Sequence, residues 1–305
     1  MAQTGGFLTN ITAKTCHNTS KLALRSGQLG QVKRAFADLE EGQVHYWTSR
    51  SPIENSIPVV VLHPGPGTAR IQVPLLEHLS ETRTVIAPDL MGMGDSAPPP
   101  HPENDPPEIA YYSDAVKRFL DVLGVETFDL YGSSLGGRVA IDLAVNHPSR
   151  VRRLMLGQAR ILKGQNHADF STRHAPKVEP DQSGVYVQFL WSRLRDLYTY
   201  FPWFKRNAEN MRKTNLPSAD LMHIAFTEQV KMATTQHLAF AAYYRYPIED
   251  KLKQIKAKSF VRGDDVFALI PDVIEWVPAM TRDPLTASPD DVAAYAAQMC
   301  GFLDA

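Results

Sequence analysis

The sequence predicts an α/β fold, with a mostly parallel central sheet, helices on both faces of the sheet and an inserted group of helices. Three observations support this prediction. Short, fully apolar segments such as residues 57–62 are typical of strands that a parallel sheet buries on both faces. Segments with the apolar spacing of helices alternate with such strands up to residue 158. Residues 159–246 are helical in pattern throughout, and the alternation returns after them.

Length and composition limit the classes of protein that the chain can represent. It has 305 residues, of which 44% are hydrophobic, and a formal net charge of −1. The length suits one large α/β core with an insertion. The near-zero charge argues against a nucleic-acid partner, and no apolar run reaches the roughly 18 residues of a membrane span. Cys16 and Cys300 fit neither a disulfide framework nor a metal site.

Residues 1–33 are predicted to form an N-terminal arm outside the core. Residues 1–35 contain no Asp or Glu and carry five Lys or Arg residues among many Ser and Thr. An organelle transit peptide has a similar composition, but a flexible or surface-wrapping arm is the simpler interpretation. We therefore expect a cytoplasmic protein and keep organelle targeting as the alternative.

The first predicted elements are a hairpin, two buried strands and a helix. Residues 34–39 and 43–47 alternate between apolar and polar side chains around a Glu-Glu-Gly turn, which predicts a β-hairpin. Residues 57–62 and 84–89 are predicted to be strands of the central sheet. A proline-rich loop follows, and residues 109–123 have the apolar spacing of an amphipathic helix.

The second half of the chain contains the predicted insertion. Residues 159–246 include two long helical stretches, 185–204 and 219–244, and the first is rich in aromatic side chains. We predict a core made of residues 34–158 and 247–305, with a helical cap at 159–246. The remaining predicted elements are strands at 152–157, 258–263 and 273–277 and a closing helix at 290–303.

The most informative motif lies between a predicted strand and a predicted helix. Residues 128–131 form a short apolar strand pattern, Gly132-x-Ser134-x-Gly136 follows, and residues 138–145 have a helical pattern. A tight turn in this position exposes the central serine, and the helix N-terminus favours negative charge that develops there. Small neighbours are needed because backbone segments approach closely at the turn. The motif resembles the nucleophile elbow of the α/β-hydrolase superfamily.

The resemblance extends over residues 34–303 and implies a nucleophile and an oxyanion hole. Ser134 is the implied nucleophile, and the backbone N–H of Leu135 is the first implied oxyanion donor. The second donor would come from the His-Pro-Gly-Pro-Gly loop at residues 63–67, in which the prolines have no N–H. Matching this loop to the oxyanion loop of the family, residue by residue, assigns the second role to Gly65.

His63 and Trp191 are further candidates for the surroundings of the substrate. In the family, the histidine of the oxyanion loop is mostly structural and hydrogen-bonds nearby backbone. We assign this role to His63 first and also include it among the substrate-binding candidates. Trp191 belongs to the aromatic stretch at 185–204, which suggests an apolar ligand. Packing of a helical core explains the same aromatic pattern.

The acid and the base of the implied triad are harder to assign. The family's acid follows the seventh strand in a Gly-x-x-Asp pattern, and Asp265 takes this role only if one residue is deleted. The family's histidine follows the last strand, where this sequence has Arg282. Arginine stays protonated at neutral pH and cannot act as a base. His223 and His237, both in the predicted cap, are the candidates to replace it, although a helical histidine is more often structural or superficial.

Three functions remain open. The first is hydrolysis of an ester, lactone or similar acyl bond of a small, largely apolar molecule through Ser134. The second is a non-hydrolytic reaction (lyase, cyclase, isomerase or decarboxylase type) in the same pocket. There Ser134 would donate a hydrogen bond, and Arg282 would bind an anionic group or simply pair with a neighbouring aspartate at the surface. The third is ligand binding without turnover.

For all three functions we expect a small-molecule ligand, no cofactor and no metal. The sequence does not decide between a monomer and a homo-oligomer.

Overall fold

A computed structural model describes residues 31–101, 105–213, 215–262, 268–275 and 288–305. The strands among these residues are β1 (Val32–Leu39), β2 (Gly42–Ser49), β3 (Val59–Leu62), β4 (Val85–Pro88), β5 (Phe128–Ser133), β6 (Val151–Gln158), β7 (Lys258–Val261) and β8 (Val273–Glu275). They form one sheet in the order β1-β2-β4-β3-β5-β6-β7-β8. The β1–β2 and β2–β4 pairs are antiparallel, and the other pairs are parallel. The predicted mostly parallel sheet is confirmed.

Helices cover both faces of this sheet. They are α1 (Val73–Leu79), α2 (Ile109–Val122), α3 (Leu135–Asn146), α4 (Gly164–Arg173), α5 (Val185–Thr199), α6 (Ala219–Lys231), α7 (Gln236–Arg245), α8 (Ile248–Leu252) and α9 (Pro289–Asp304). One core cluster joins the sheet to α2, α3 and α8, and the other joins it to α1 and α9. Within the described ranges, no helix combines the length and apolar character that crossing a lipid bilayer requires.

Strand β3 shows how the sequence produces the two faces. Val60 and Leu62 belong to the cluster that contains α2 and α3, whereas Val59 and Val61 belong to the cluster that contains α1 and α9. All four side chains are fully buried. Because side chains alternate across a strand, a strand that is covered on both faces needs an apolar residue at every position. This is why the apolar run predicts the strand correctly.

The hairpin formed by β1 and β2 confirms the predicted one and extends it. Its first strand begins at Val32, inside the segment predicted as an N-terminal arm. The Glu77 carboxylate of α1 accepts hydrogen bonds from the N–H groups of Gln31 (2.6 Å) and Val32 (3.4 Å). These bonds hold the start of the strand against the core. The rest of the predicted arm, residues 1–30, lies outside the described residues.

Helices α4 to α7 lie between β6 and α8, where the sequence predicts the insertion. The first long helical stretch begins at Val185 as predicted, but α5 ends at Thr199 rather than at residue 204. Tyr200 is extended, and Pro202 follows two residues later. Proline has no N–H and disfavours helical backbone at the residue before it, so the helix cannot continue into this segment.

The stretch at residues 219–244 forms two helices rather than the single long one that its pattern predicts. Helix α6 ends at Lys231, and α7 begins at Gln236. In the turn between them, the Thr235 hydroxyl donates a hydrogen bond to the carbonyl of Gly92 in a core loop. Threonine side chains compete with helical hydrogen bonds, and this contact with the core stabilises the interruption.

Candidate functional site

Ser134 occupies a sharp turn between β5 and α3. The strand ends at Ser133 and the helix begins at Leu135. Ser134 has φ 52° and ψ −114°, a positive-φ conformation that non-glycine residues rarely adopt. Its N–H donates to the carbonyl of Gln158 (2.8 Å), and its carbonyl accepts from the N–H of Arg138 (3.2 Å). These bonds hold a strained backbone and leave the serine side chain half-buried at the carboxyl end of the strand.

Two glycines allow the backbone to pack closely around this turn. A Cβ on Gly136 would lie 2.5 Å from the carbonyl oxygen of Leu62 and 2.6 Å from that of His63. A Cβ on Gly132 would lie 2.7 Å from the Cβ of Ala140. The N–H of Gly136 also donates to the carbonyl of His63 (3.2 Å). The end of β3 therefore lies directly against the first turn of α3.

The hydroxyl of Ser134 faces the loop at residues 63–67. Its Oγ donates a hydrogen bond to the carbonyl oxygen of Gly65 at 3.4 Å. A Cβ on Gly65 would lie 3.0 Å from a ring atom of Phe240 and 3.1 Å from the Cβ of Leu135, so the loop is enclosed between α3 and α7. The structure brings together Ser134, Leu135 and Gly65, three of the residues that the sequence analysis selects.

The N-terminus of α3 is suited to stabilising negative charge beside Ser134. The first N–H groups of a helix have no partner within the helix. Here the N–H of Gly136 donates to His63, whereas no group in the described part of the chain accepts from the N–H of Leu135. An anion next to the Ser134 hydroxyl would meet this N–H and the positive end of the helix dipole.

His63 is fully buried and both of its ring nitrogens are used. Nε2 accepts a hydrogen bond from the N–H of Leu90 (3.0 Å), so Nδ1 carries the proton and donates to the carbonyl of Pro64 (3.0 Å). Burial is the largest influence on the ring and lowers the pKa of His63. This neutral histidine joins the 63–67 loop to the loop after β4, which is the structural role that the sequence analysis gives it first.

The described residues do not complete a catalytic triad. Ser134 forms no hydrogen bond with a histidine within the described part of the chain. His223 is an exposed residue of α6, and His237 is a half-buried residue in the first turn of α7. Asp265 and Arg282 lie outside the described residues. The base and the acid of the site stay predictions.

A buried polar network joins the helical insertion to the 63–67 loop. Gln229 Nε2 donates to the carbonyl of Pro66 (3.2 Å), and Gln229 Oε1 accepts from Arg193 Nη1 (3.2 Å). The same Arg193 nitrogen donates to Gln236 Oε1 (2.8 Å). All three side chains are buried. Sequence reasoning missed them, although polar residues inside apolar helical stretches are the signal that points to such a network.

His174 is a second feature that the sequence analysis did not select. Its ring stacks on Phe170 (5.3 Å between centroids) and meets the edge of Phe240 (5.1 Å), the ring that covers the 63–67 loop. Burial, followed by the positive charges of Arg193 and Arg212, lowers the pKa of His174 to about 3. The ring is therefore neutral at pH 7.

Trp191 lies on the outside of the insertion, where it is 41% exposed and packs edge-on against Phe226. It is not among the residues that the structure brings together around Ser134.

One cluster of potential metal ligands occurs in the described ranges, and it has a structural explanation. A ligand atom from each of His45, Asp89 and Asp95 lies within 4.8 Å of the others. The Asp89 carboxylate already accepts hydrogen bonds from the N–H groups of Ala69 (2.7 Å) and Asp95 (3.2 Å) and contacts His45 Nδ1 (2.8 Å). It organises the loops around β4 instead of presenting free ligand atoms.

Several known proteins are similar in sequence to part of this chain. The family model of the α/β hydrolase fold matches residues 57–253. A 2-hydroxymuconate semialdehyde hydrolase from a Pseudomonas species is 38% identical over 105 residues, which is 32% of this chain and 35% of that protein. The (lyso)-N-acylphosphatidylethanolamine lipase of Homo sapiens is 30% identical over 112 residues, 36% of this chain and 33% of that one. The chain thus matches about a third of the length of these curated relatives.

Solved structures resemble the chain over most of its length. The enol-lactonase from Burkholderia xenovorans has a TM-score of 0.62 at 17% identity and covers 89% of this chain and 100% of its own. An epoxide hydrolase from Vigna radiata has a TM-score of 0.68 at 14% identity, with coverage of 90% and 100%. At these identities the likeness concerns the fold alone.

Proposed function

Because the chain belongs to the α/β hydrolase fold family, we propose that it hydrolyses an ester, lactone or similar acyl bond in a small, largely apolar molecule. The observation that carries the proposal is Ser134 at the N-terminus of α3, with φ 52° and its hydroxyl beside the 63–67 loop. The partial relatives in sequence are a hydrolase and a lipase, which supports the same class of reaction.

In the proposed reaction, Ser134 Oγ attacks the acyl carbon and its proton passes to a base. The carbonyl oxygen becomes an oxyanion, which the N–H groups of Leu135 and Gly65 and the dipole of α3 stabilise. The leaving alcohol departs with the transferred proton. Water then hydrolyses the acyl-enzyme, releases the acid and restores Ser134.

We propose His237 before His223 as the base. His237 is half-buried in the first turn of α7, and this helix covers the 63–67 loop through Phe240. His223 is exposed on α6, a helix that contacts the same loop through Gln229. Asp265 remains the proposed acid. A base of this kind is required because an unassisted serine hydroxyl is a weak nucleophile.

One contact favours a second candidate function, a non-hydrolytic reaction in the same pocket. Among the described residues, Ser134 Oγ donates a hydrogen bond to the carbonyl of Gly65 and none to a nitrogen base. In this second candidate, the Ser134 hydroxyl hydrogen-bonds to the ligand instead of attacking it. Arg282, which stands in the sequence where the family has its histidine, would then bind an anionic group of the substrate.

Labelling with a fluorophosphonate separates the two candidates. We expect the full chain to gain the mass of one phosphonyl group, because an activated serine displaces fluoride from the reagent. Ser134→Ala should lose the adduct. Ser133→Ala, which changes the neighbouring serine in β5, is the matched control and should keep it.

Turnover of p-nitrophenyl butyrate provides the second measurement. Ser134→Ala should reduce kcat/KM by roughly a thousandfold or more, since it removes the nucleophile. His237→Gln should reduce kcat strongly, whereas His223→Gln should leave it nearly unchanged. A wild-type chain without an adduct, and with turnover that survives Ser134→Ala, would reject the acyl-enzyme mechanism and favour the second candidate.

A further inference from the structure

A cavity of about 300 Å³ lies beside α3, and none of its described lining residues belongs to the 63–67 loop. Its walls come from α3, from the segment after β6, from α4, from α7 and from α8. The residues that define it are Arg138, Leu162, Tyr243, Tyr244, Tyr246 and Ile248. Aromatic and apolar side chains line it together with polar ones, which are the buried cation of Arg138, the His167 ring and the carboxylates of Glu249 and Asp250.

That cation, Arg138, is incompletely satisfied. Its side chain is 3% exposed. Nη2 donates to the carbonyl of Arg160 (2.6 Å), and the guanidinium lies 4.1 Å above the ring of Tyr243. Nε and Nη1 have no hydrogen-bond partner among the described residues. Buried polar groups in folded proteins almost always have partners, and an uncompensated buried charge is strongly unfavourable.

No carboxylate of the described protein neutralises this charge. Burial lowers the pKa of Arg138, and the groups that oppose this effect are Tyr243, Tyr246 and Tyr244. Arginine nevertheless remains protonated at neutral pH. Asp142, one turn further along α3, is engaged by Ser113 Oγ, Asn146 Nδ2 and the ammonium of Lys251.

The acidic residues in the cavity lining also have other partners. Glu249 pairs with Lys163 (2.9 Å), and Asp250 pairs with Lys253 (3.6 Å). These lysines reduce the negative potential that an entering anion would meet. The described cavity therefore holds an uncompensated positive charge at its wall and carboxylates that are already paired.

The free nitrogens of Arg138 suit a two-point contact. A guanidinium has two edges that match a carboxylate, one formed by Nε and Nη2 and the other by Nη1 and Nη2. The Arg160 carbonyl occupies one N–H of Nη2. Nε and Nη1 have no partner but are both buried, so a carboxylate pairs with either edge once the guanidinium turns towards the cavity.

We propose that this cavity binds the carboxylate of a small organic acid, with Arg138 as its counter-ion and the three tyrosines around its apolar body. Arg138 lies four residues after Ser134 on the same helix, a rise of about 6 Å. The anion site is thus one turn of α3 away from the proposed nucleophile. The proposal concerns binding and holds whether or not Ser134 forms an acyl-enzyme.

Titration of the full chain with benzoate, followed by calorimetry and by thermal unfolding, tests the proposal. Benzoate should bind and raise Tm with concentration, because a ligand of the native state stabilises it. Benzamide, which has the same shape without the charge, should bind at least about tenfold more weakly. Arg138→Met should weaken benzoate binding about tenfold or more. Its own Tm should stay equal or rise, since a buried uncompensated charge is removed.

Three controls make the result specific. Arg245→Met removes an exposed arginine of α7 that pairs with Glu108, and it should bind benzoate like the wild type. Leu162→Trp fills the cavity but keeps Arg138, and it should lose binding even if Arg138→Met fails to fold. Ser134→Ala should keep binding, which separates this site from the proposed function. Equal binding of benzoate and benzamide, or wild-type affinity in Leu162→Trp, would overturn the proposal.

Discussion

Gly136 shows how one residue determines the geometry of the sharp turn between β5 and α3. The first turn of α3 meets the end of β3 at this position, and the nearest atoms are backbone carbonyl oxygens of Leu62 and His63. Backbone atoms of a central strand cannot move away as the end of a flexible side chain can. The glycine is therefore required by close approach, and its own φ is not positive.

Gly136→Ala should lower the free energy of unfolding by about 1–3 kcal/mol, the usual range for overpacking a well-packed core. Gly301→Ala is the matched control, because Gly301 lies in helix α9 and a Cβ there would meet nothing within 4 Å. This control should raise the free energy of unfolding by roughly 0.5–1 kcal/mol, through helix propensity alone. Urea denaturation measures both values, and equal effects of the two substitutions would disprove the steric argument.

At the scale of the elements, the turn between α6 and α7 joins the helical insertion to the core. Thr235 bonds to Gly92, Glu228 Oε2 accepts from Thr68 Oγ1 (2.9 Å), and Lys231 pairs with Asp95 (2.8 Å). These contacts reach the loops after β3 and β4. These helices consequently hold the chain just after the 63–67 loop, which contacts Ser134, and the loop after β4.

Gln229→Leu and Gln236→Leu distinguish the two ends of the buried polar network. Both remove an acceptor of Arg193, but only Gln229 also donates to Pro66, next to the proposed oxyanion donor Gly65. Each variant should lose about 1–3 kcal/mol of stability, because a buried polar partner is left unsatisfied.

Only Gln229→Leu should also lower kcat, with a smaller change in KM, since the 63–67 loop is released from its hydrogen bond. Steady-state kinetics with p-nitrophenyl butyrate measures this difference in kcat between the variants. A matching fall of kcat in Gln236→Leu would mean that the effect comes from general loosening of the insertion.

The whole molecule should lose stability in mild acid because of its buried neutral histidines. Burial and two nearby arginines lower the pKa of His174 from its ordinary 6.5 to about 3, and burial also lowers that of His63. As the pH falls below 6.5, the unfolded chain binds a proton at position 174 and the native chain does not. The neutral ring of His174 thus stabilises the native state above pH 6.5, and this contribution is lost as the pH falls towards 3.

His174→Phe tests this dependence, because phenylalanine keeps an aromatic ring against Phe170 and Phe240. Between pH 6 and pH 4, the wild type should lose about 1.4 kcal/mol per pH unit more than the variant. Urea unfolding at several pH values gives both slopes. Parallel slopes would show that His174 does not carry this part of the acid sensitivity.

The sequence by itself determined the mostly parallel sheet and the strand–turn–helix segment around Ser134. These features depend on local patterns, such as four apolar residues in β3 and small residues around Ser134. Each pattern reflects the preferences of a few neighbouring residues, and the whole fold satisfies those preferences.

Only the tertiary structure decided how distant polar groups pair. It divides the 219–244 stretch through a bond from Thr235 to the core, fixes His63 through the N–H of Leu90, and leaves Arg138 without a counter-ion beside a cavity. Such partners lie far apart in the chain, so spacing carries no information about them. The free energy that each polar pairing gains or costs depends on how deeply the groups are buried and on which groups face them.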